Sequence, residues 1–211
     1  MLLYNTTMKL SSLLDQTWYE QDVVAAARGL LGKRLVRFLH GQRTGGIIVE
    51  TEAYRGEEDL ACHARSGRTP RTVVMYGPAG RAYVYFTYGL HWLFNVVCMP
   101  EGYPAAVLVR AMLPDEGLQV IAARRAGRPR ETWTDGPAKL TQALAIDGNF
   151  IGCNLTQTAS GLWIEDGPPF EDQAVLAEPR VGIETVAEPW RSVPWRFRVR
   201  AEHQARLLPR A

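Results

Sequence analysis

The stretch that most constrains the fold is Gly45-Gly46-Ile47-Ile48-Val49-Glu50-Thr51-Glu52-Ala53-Tyr54, a β-branched run that carries two carboxylates. Branching at Cβ favours a strand, where successive side chains alternate between faces. Ile47, Val49, Thr51 and Ala53 then share one face, and Ile48, Glu50, Glu52 and Tyr54 share the other. A carboxylate among apolar neighbours must be paired, hold a ligand or titrate abnormally, because an unpaired buried charge is costly. Glu50 and Glu52 are therefore the first candidates for chemistry. Further on, Cys62-His63-Ala64-Arg65-Ser66-Gly67-Arg68-Thr69-Pro70-Arg71 supplies one imidazole and three guanidinium groups in a loop broken by Gly67 and Pro70. That composition suits contacts with an anionic backbone.

Around this strand the pattern is mixed. Lys33 to Leu39 alternates weakly as a strand and turns through residues 40–46 into the Glu52 strand. After the Gly77-Pro78-Ala79-Gly80 turn come three runs rich in β-branched and aromatic residues, Ala82 to Thr87, Trp92 to Cys98 and Ala105 to Ala111, which suggest an antiparallel sheet. Helical spacing is read over Glu20 to Leu31, Pro114 to Arg125 and Gly136 to Ala145, and the acidic knot Glu57-Glu58-Asp59 is read as opening a short helix toward His63. Leu162 to Glu165, Arg180 to Ile183 and Trp195 to Val199 are short strand candidates. With 211 residues, 46% hydrophobic and 22% charged, the chain can fill one core. The expected fold is a mixed α/β (α+β) single domain, a curved, mainly antiparallel sheet surrounded by helices with the Glu52 strand near its middle. Residues 1–18 read as a loose lead-in and 19–211 as the domain.

A net charge of +2 does not announce a nucleic-acid binder, but its distribution is uneven. Arg191, Arg196, Arg198, Arg200, Arg206 and Arg210 crowd the last stretch, Arg124, Arg125, Arg128 and Arg130 cluster earlier, and lysine occurs only as Lys9, Lys33 and Lys139. Cys62, Cys98 and Cys153 are odd in number and widely spaced, which indicates neither a disulfide framework nor a zinc knuckle. No leader pattern and no apolar run of membrane-spanning length is seen, so a cytoplasmic protein is expected.

Several residues stand out on pattern alone. Arg81, Tyr83, Tyr85 and Thr87 fall on one strand face and Ala82, Val84, Phe86 and Tyr88 on the other, with Tyr88-Gly89 at a hairpin tip. Asn95 and Arg110 are polar members of apolar strands, so each needs a partner or a ligand. Lys139, at a helix start, suits a phosphate. The tyrosines could equally be sheet residues packing a core, and Glu52 could be half of a structural ion pair. Glu50, Glu52, Asp59 and His63 could serve a divalent-metal nuclease, or the stacking tyrosines and arginines a nucleic-acid module without catalysis. No lysine lies in the strand cluster, which leaves water as nucleophile rather than an amine.

The strings V-E-T-E-A-Y, H-A-R-S-G-R-T-P-R and M-Y-G-P-A-G-R-A-Y-V-Y-F-T-Y-G-L-H-W-L-F-N-V-V resemble the alkyladenine (3-methyladenine) DNA glycosylase family, the type without a helix-hairpin-helix. A-R-G-L-L-G-K-R-L-V-R, G-P-A-K-L-T-Q-A-L, P-R-V-G-I and P-W-R-F extend the likeness from Ala25 to Phe197. The resemblance implies a DNA-repair enzyme that flips alkylated or deaminated purines (3-methyladenine, 7-methylguanine, hypoxanthine, ethenoadenine) from duplex DNA and hydrolyses the N-glycosidic bond. It implies Glu52 as the base that activates water and Arg110 as its helper. Tyr54, His63, Tyr83, Tyr85 and Asn95 would form the base pocket, Asn95 screening guanine-type bases, and Tyr88 would fill the hole in the duplex. Arg68, Arg71, Leu90, His91 and Lys139 would contact DNA. No metal and no cofactor are implied. The partner is double-stranded DNA with damaged purines, met by a monomer, on the nucleoid in a prokaryote. Thr72-Val73, Tyr76 and Ala138 differ from the family pattern at the rim and at backbone contacts, which bears on breadth of substrate.

Overall fold

The computed structural model describes residues 12–205 and 207. Eight strands form one sheet in which every pairing is antiparallel: β1 (Arg34–Leu39), β2 (Gln42–Arg55), β3 (Ala82–Thr87), β4 (His91–Val97), β5 (Ala105–Glu116), β6 (Leu162–Glu165), β7 (Val175–Glu178) and β8 (Arg196–Val199). The order is β3-β4-β5-β2-β1-β6, so the Glu52 strand is central, as its apolar run requires. Five helices accompany it: α1 (Gln16–Tyr19), α2 (Val23–Gly29), α3 (Leu118–Arg124), α4 (Pro137–Leu144) and α5 (Ala201–Gln204). Residues 1–11 of the expected lead-in lie outside the described residues. From Leu13 onward the chain is tied to the sheet by a bridge to Glu165.

Local chemistry sets the helix limits. The Asp22 carboxylate accepts the Val24 and Ala25 N–H groups and starts α2. Val23, Ala26, Ala27 and Leu30 then fall on one stripe, all fully buried. That stripe packs beside β2 and β5 in the main core with Ala53, Val107 and Val109. Burying a side chain such as Leu30 contributes about 1.5–3 kcal/mol. On β3, Ala82 and Val84 face this core, while Tyr83 and Tyr85 face a second, smaller cluster with Cys62, Met75 and Ala106. The sheet thus has a packing face and a face left for another use.

Strand β2 does not run regularly. Its pairing with β5 shifts register between Gly45 and Gly46, between Ile48 and Glu50, and between Glu50 and Thr51. Ile48 and Val49 consequently both lie in the main core, and the two-residue alternation that groups Glu50, Glu52 and Tyr54 does not extend to Ile48. Gly46 is where the two backbones crowd, since a Cβ there would sit 2.2 Å from the Leu113 carbonyl oxygen. One edge of β2 is shared: β1 pairs with Gln42 to Ile47 and β8 with Glu50 to Glu52.

Three elements differ from the sequence reading. Strand β5 continues to Glu116, and the helix starts at Leu118 rather than Pro114, because Pro114 and Glu116 find partners in Gly46 and Gly45. Proline is accommodated at that register irregularity. Arg180 to Ile183 is a loop, and the strand of this region is β7, which pairs with β8. Glu57-Glu58-Asp59 forms turns rather than a helix, with a 3-10 turn at His63–Ser66.

Candidate active site

The open face of the sheet holds a cavity of about 230 Å³. It is smaller than the roughly 300–1,000 Å³ typical of drug-sized ligands, a scale that suits a single flat ring system. Tyr54 from β2, Tyr83 and Tyr85 from β3, Asn95 from β4, Arg110 from β5 and His63 from the 3-10 turn all line it. Strand parity explains why: Tyr83 and Asn95 are directly opposed, as are Asn95 and Leu108, so three strands turn the same face inward.

The walls are mostly aromatic, with Arg110 as the charged member of the lining. His63 meets Tyr85 edge-on with ring centroids 4.6 Å apart, and Tyr83 lies 5.5 Å from Tyr85. Arg71 stacks over Tyr85 at 4.9 Å and reaches His63 Nε2 at 3.3 Å. A guanidinium can only donate, so Nε2 accepts and the ring proton sits on Nδ1, 2.9 Å from the Tyr83 hydroxyl. Burial, helped by Arg71 and Arg65, pushes the His63 imidazole down to about 4, so the ring is uncharged at neutral pH. The Asn95 amide donates to the Tyr83 carbonyl at 3.0 Å, which satisfies part of a nearly buried polar group.

Glu52 is fully buried and stands immediately behind the wall. Its Oε2 accepts the Tyr54 hydroxyl at 2.9 Å, and its Oε1 accepts the Val181 N–H at 2.8 Å and lies 3.2 Å from Arg110 Nη1. Arg110 Nε also donates to Glu50 at 2.9 Å, and Glu50 receives Arg196 at 3.1 Å. Desolvation raises the Glu52 carboxyl above its ordinary range, with Arg110, Val181 and Tyr54 opposing that rise. Tyr54, Arg110 and Val181, its three partners, are all cavity residues.

The remaining residues singled out in the sequence spread outward. Tyr88 joins the cavity rim although its strand parity pointed the other way, because at φ 53° it leaves the strand. It is 89% exposed at the β3–β4 hairpin, with Leu90 73% exposed and His91 exposed beside it. Arg68 stacks on Tyr76, and Lys139 pairs with Asp135 at 2.8 Å. The four groups of the metal reading do not converge. Glu50 and Glu52 are held by arginines, Asp59 is clamped by Arg180, and His63 is held by Tyr83 and Arg71. Among the described residues no three His, Cys, Asp or Glu groups could hold a metal ion together. Sequence reasoning read Arg180, Val181 and Gly182 as part of a short strand and gave them no role at the site, although P-R-V-G-I carries a loop signal in its proline and glycine.

A family model described as methylpurine-DNA glycosylase matches residues 17–203. The chain belongs to the methylpurine-DNA glycosylase family. Among its relatives, a protein of Carboxydothermus hydrogenoformans is 44% identical over 185 residues, 88% of this chain and 94% of its own. One of Myxococcus xanthus is 46% identical over 197 residues, covering 93% and 95%, and one of Chlamydia abortus is 43% identical over 188, covering 88% and 96%. All three carry the provisional name 3-methyladenine DNA glycosylase. This chain is therefore a DNA glycosylase, a hydrolase of N-glycosyl bonds with DNA as substrate, as the motif resemblance led one to expect. Among the described residues no lysine of this glycosylase lines the cavity, and no helix is long and apolar enough to cross a membrane.

Proposed function

We propose that this glycosylase extrudes alkylated or deaminated purines, the 3-methyladenine, 7-methylguanine, hypoxanthine and ethenoadenine class, from double-stranded DNA into the aromatic cavity and releases them with a Glu52-activated water. The single observation that carries the reading is the burial of Glu52 behind Tyr54, Arg110 and Val181, all three of which touch both the carboxylate and the cavity. Each carboxylate oxygen has a second lone pair, so a water between Arg110 and Val181 finds an acceptor already oriented. Departure of the base leaves positive charge on the sugar, and an ionised carboxylate both takes the water proton and stabilises that cation. The neutral His63 and the three tyrosines offer ring faces that attract a cationic methylpurine. Asn95, fixed by the Tyr83 carbonyl, stands where a guanine-type exocyclic amine would be screened. Tyr88 occupies the vacated stack while Leu90, His91, Arg68, Arg71 and Lys139 lie along the duplex. The enzyme is monofunctional and acts as a monomer.

The test is single-turnover release of hypoxanthine and of an alkylated adenine from a defined duplex, with binding titrated in parallel. Glu52→Gln keeps shape and hydrogen bonding but removes the charge, so the rate should drop by about 10² to 10⁴-fold while damaged DNA is still bound. Tyr88→Ser should instead weaken retention of the flipped state, where unstacking costs about a few kcal/mol. A Glu52→Gln enzyme near the wild-type rate removes the catalytic assignment.

A further inference from the structure

The loop over residues 179–183 carries no regular structure, and Val181 itself is 46% exposed, yet its N–H is held at 2.8 Å from Glu52. The restraint comes from the residue before it. Arg180 is buried, and its guanidinium forks onto Asp59 at 2.5 and 2.9 Å, donates to the Ala53 carbonyl at 2.9 Å and reaches the Trp190 carbonyl at 3.2 Å. Its flat face lies 4.7 Å from the Tyr54 ring and 5.2 Å from Trp195. Asp59 is in turn fixed by the N–H groups of Arg55 and Ala61. One side chain therefore contacts both residues that follow Glu52 and is bonded covalently to the residue that donates to it. A buried ion pair of this kind is weak evidence for stability, since apolar residues of the same volume often serve as well. Its geometry, in contrast, is directed at one carboxylate.

We infer that Arg180, clamped by Asp59, is a positioning residue that seats the Val181 amide against Glu52 and so keeps that carboxylate aimed and ionised for base excision. The inference rests on the reading of Glu52 as general base. The other charged or titratable groups facing Glu52 are Glu50 and Tyr54 on β2, Tyr85 on β3, Arg110 on β5 and Arg196 on β8, which pairs across from it. Of these, Arg110 and Tyr54 bond it directly; Arg110 has no contact with Arg180, whereas Tyr54 rests its ring against the Arg180 guanidinium and is seated by the same side chain.

Arg180→Lys keeps the charge that Asp59 needs but loses the fork and the flat face. Single-turnover excision of hypoxanthine is expected to slow by about 10²-fold, the scale of a small misplacement of a reacting group. The acid limb of its pH profile should move to higher pH, because a hydrogen bond that favours the ionised carboxylate has been weakened. Binding of damaged duplex should persist, and the same substitution in a Glu52→Gln background should change the residual rate little. An unmoved acid limb, or an equal loss in both backgrounds, overturns the positioning role. A Glu52→Gln enzyme active at the wild-type rate overturns the underlying reading instead. Should Arg180→Lys fail to fold, hydrogen exchange on the unaltered enzyme decides: the Val181 amide should be protected at neutral pH and lose protection as Glu52 is protonated, and free exchange at neutral pH overturns the proposal.

Discussion

Burial raises the Glu52 carboxyl, and Arg110, the Val181 N–H and the Tyr54 hydroxyl only partly oppose it. The native state therefore takes up this proton at a higher pH than the unfolded chain, and the ionised form works against folding at neutral pH. Two outcomes are expected: excision falls away on the acid side at a pH above the ordinary carboxylate range, and Glu52→Gln melts no lower than wild type at neutral pH. His63 has the opposite sign. Its imidazole is depressed from 6.5 to about 4, so its contribution is present above pH 6.5 and is lost as pH falls toward 4. Urea midpoints across that window should decline, and the decline should flatten in His63→Gln. Tyr88 holds φ 53°, a left-handed conformation costing a non-glycine residue about 1–2 kcal/mol. With its ring in solvent, Tyr88→Asn should gain up to about 1 kcal/mol, a rise in melting temperature of about 2–4 °C, yet excise more slowly. Glu52 and Asn95 stood out because a polar group on an apolar strand contradicts its surroundings, whereas Tyr83 and Tyr85 suit a sheet core equally well and were put in the pocket only by the family resemblance. Val181 did not stand out, because it acts through a backbone N–H that every residue but proline possesses.

At the level of elements, β3, β6 and the start of β5 were readable to the residue, since β-branched runs between turn signals specify local conformation. Strand β7 was missed because Val-Leu-Ala-Glu has no alternation strong enough to mark it, and it exists as a strand only through pairing with β8. The register shifts of β2 were invisible for a similar reason, being imposed by β5 across the sheet. Gly46 is the test of that approach. Its added methyl would collide with the Leu113 carbonyl, and backbone cannot swing aside as a side chain would. Gly46→Ala should destabilise by about 1–3 kcal/mol, the usual cost of overpacking, seen as a lowered urea midpoint with an unchanged slope.

For the molecule as a whole, a net charge of +2 makes the distribution of arginines decisive. Most of the late arginines are occupied internally: Arg191 with Glu188, Arg196 with Glu50 and Glu178, Arg198 with Glu178, and Arg200 with the Gln173 carbonyl. Arg206 and Arg210 lie outside the described residues. Arg71, beside the cavity, is exposed and has no carboxylate partner among the described residues. Arg71→Ala should therefore reduce the slope of log affinity against log salt by about one, while Arg198→Ala leaves it unchanged. An equal effect of both would mean that the late arginines reach DNA after all. The shared edge of β2 has a consequence in time. The strand bearing Glu52 is synthesised early, but its lateral partner at Glu50 to Glu52 is β8, residues 196–199. A growing polypeptide on the ribosome that has not yet delivered β8 has the Glu52 strand open on one side. A chain cut short before Arg196 should therefore release no hypoxanthine from a damaged duplex, and full release by it would mean that this edge of β2 needs no partner.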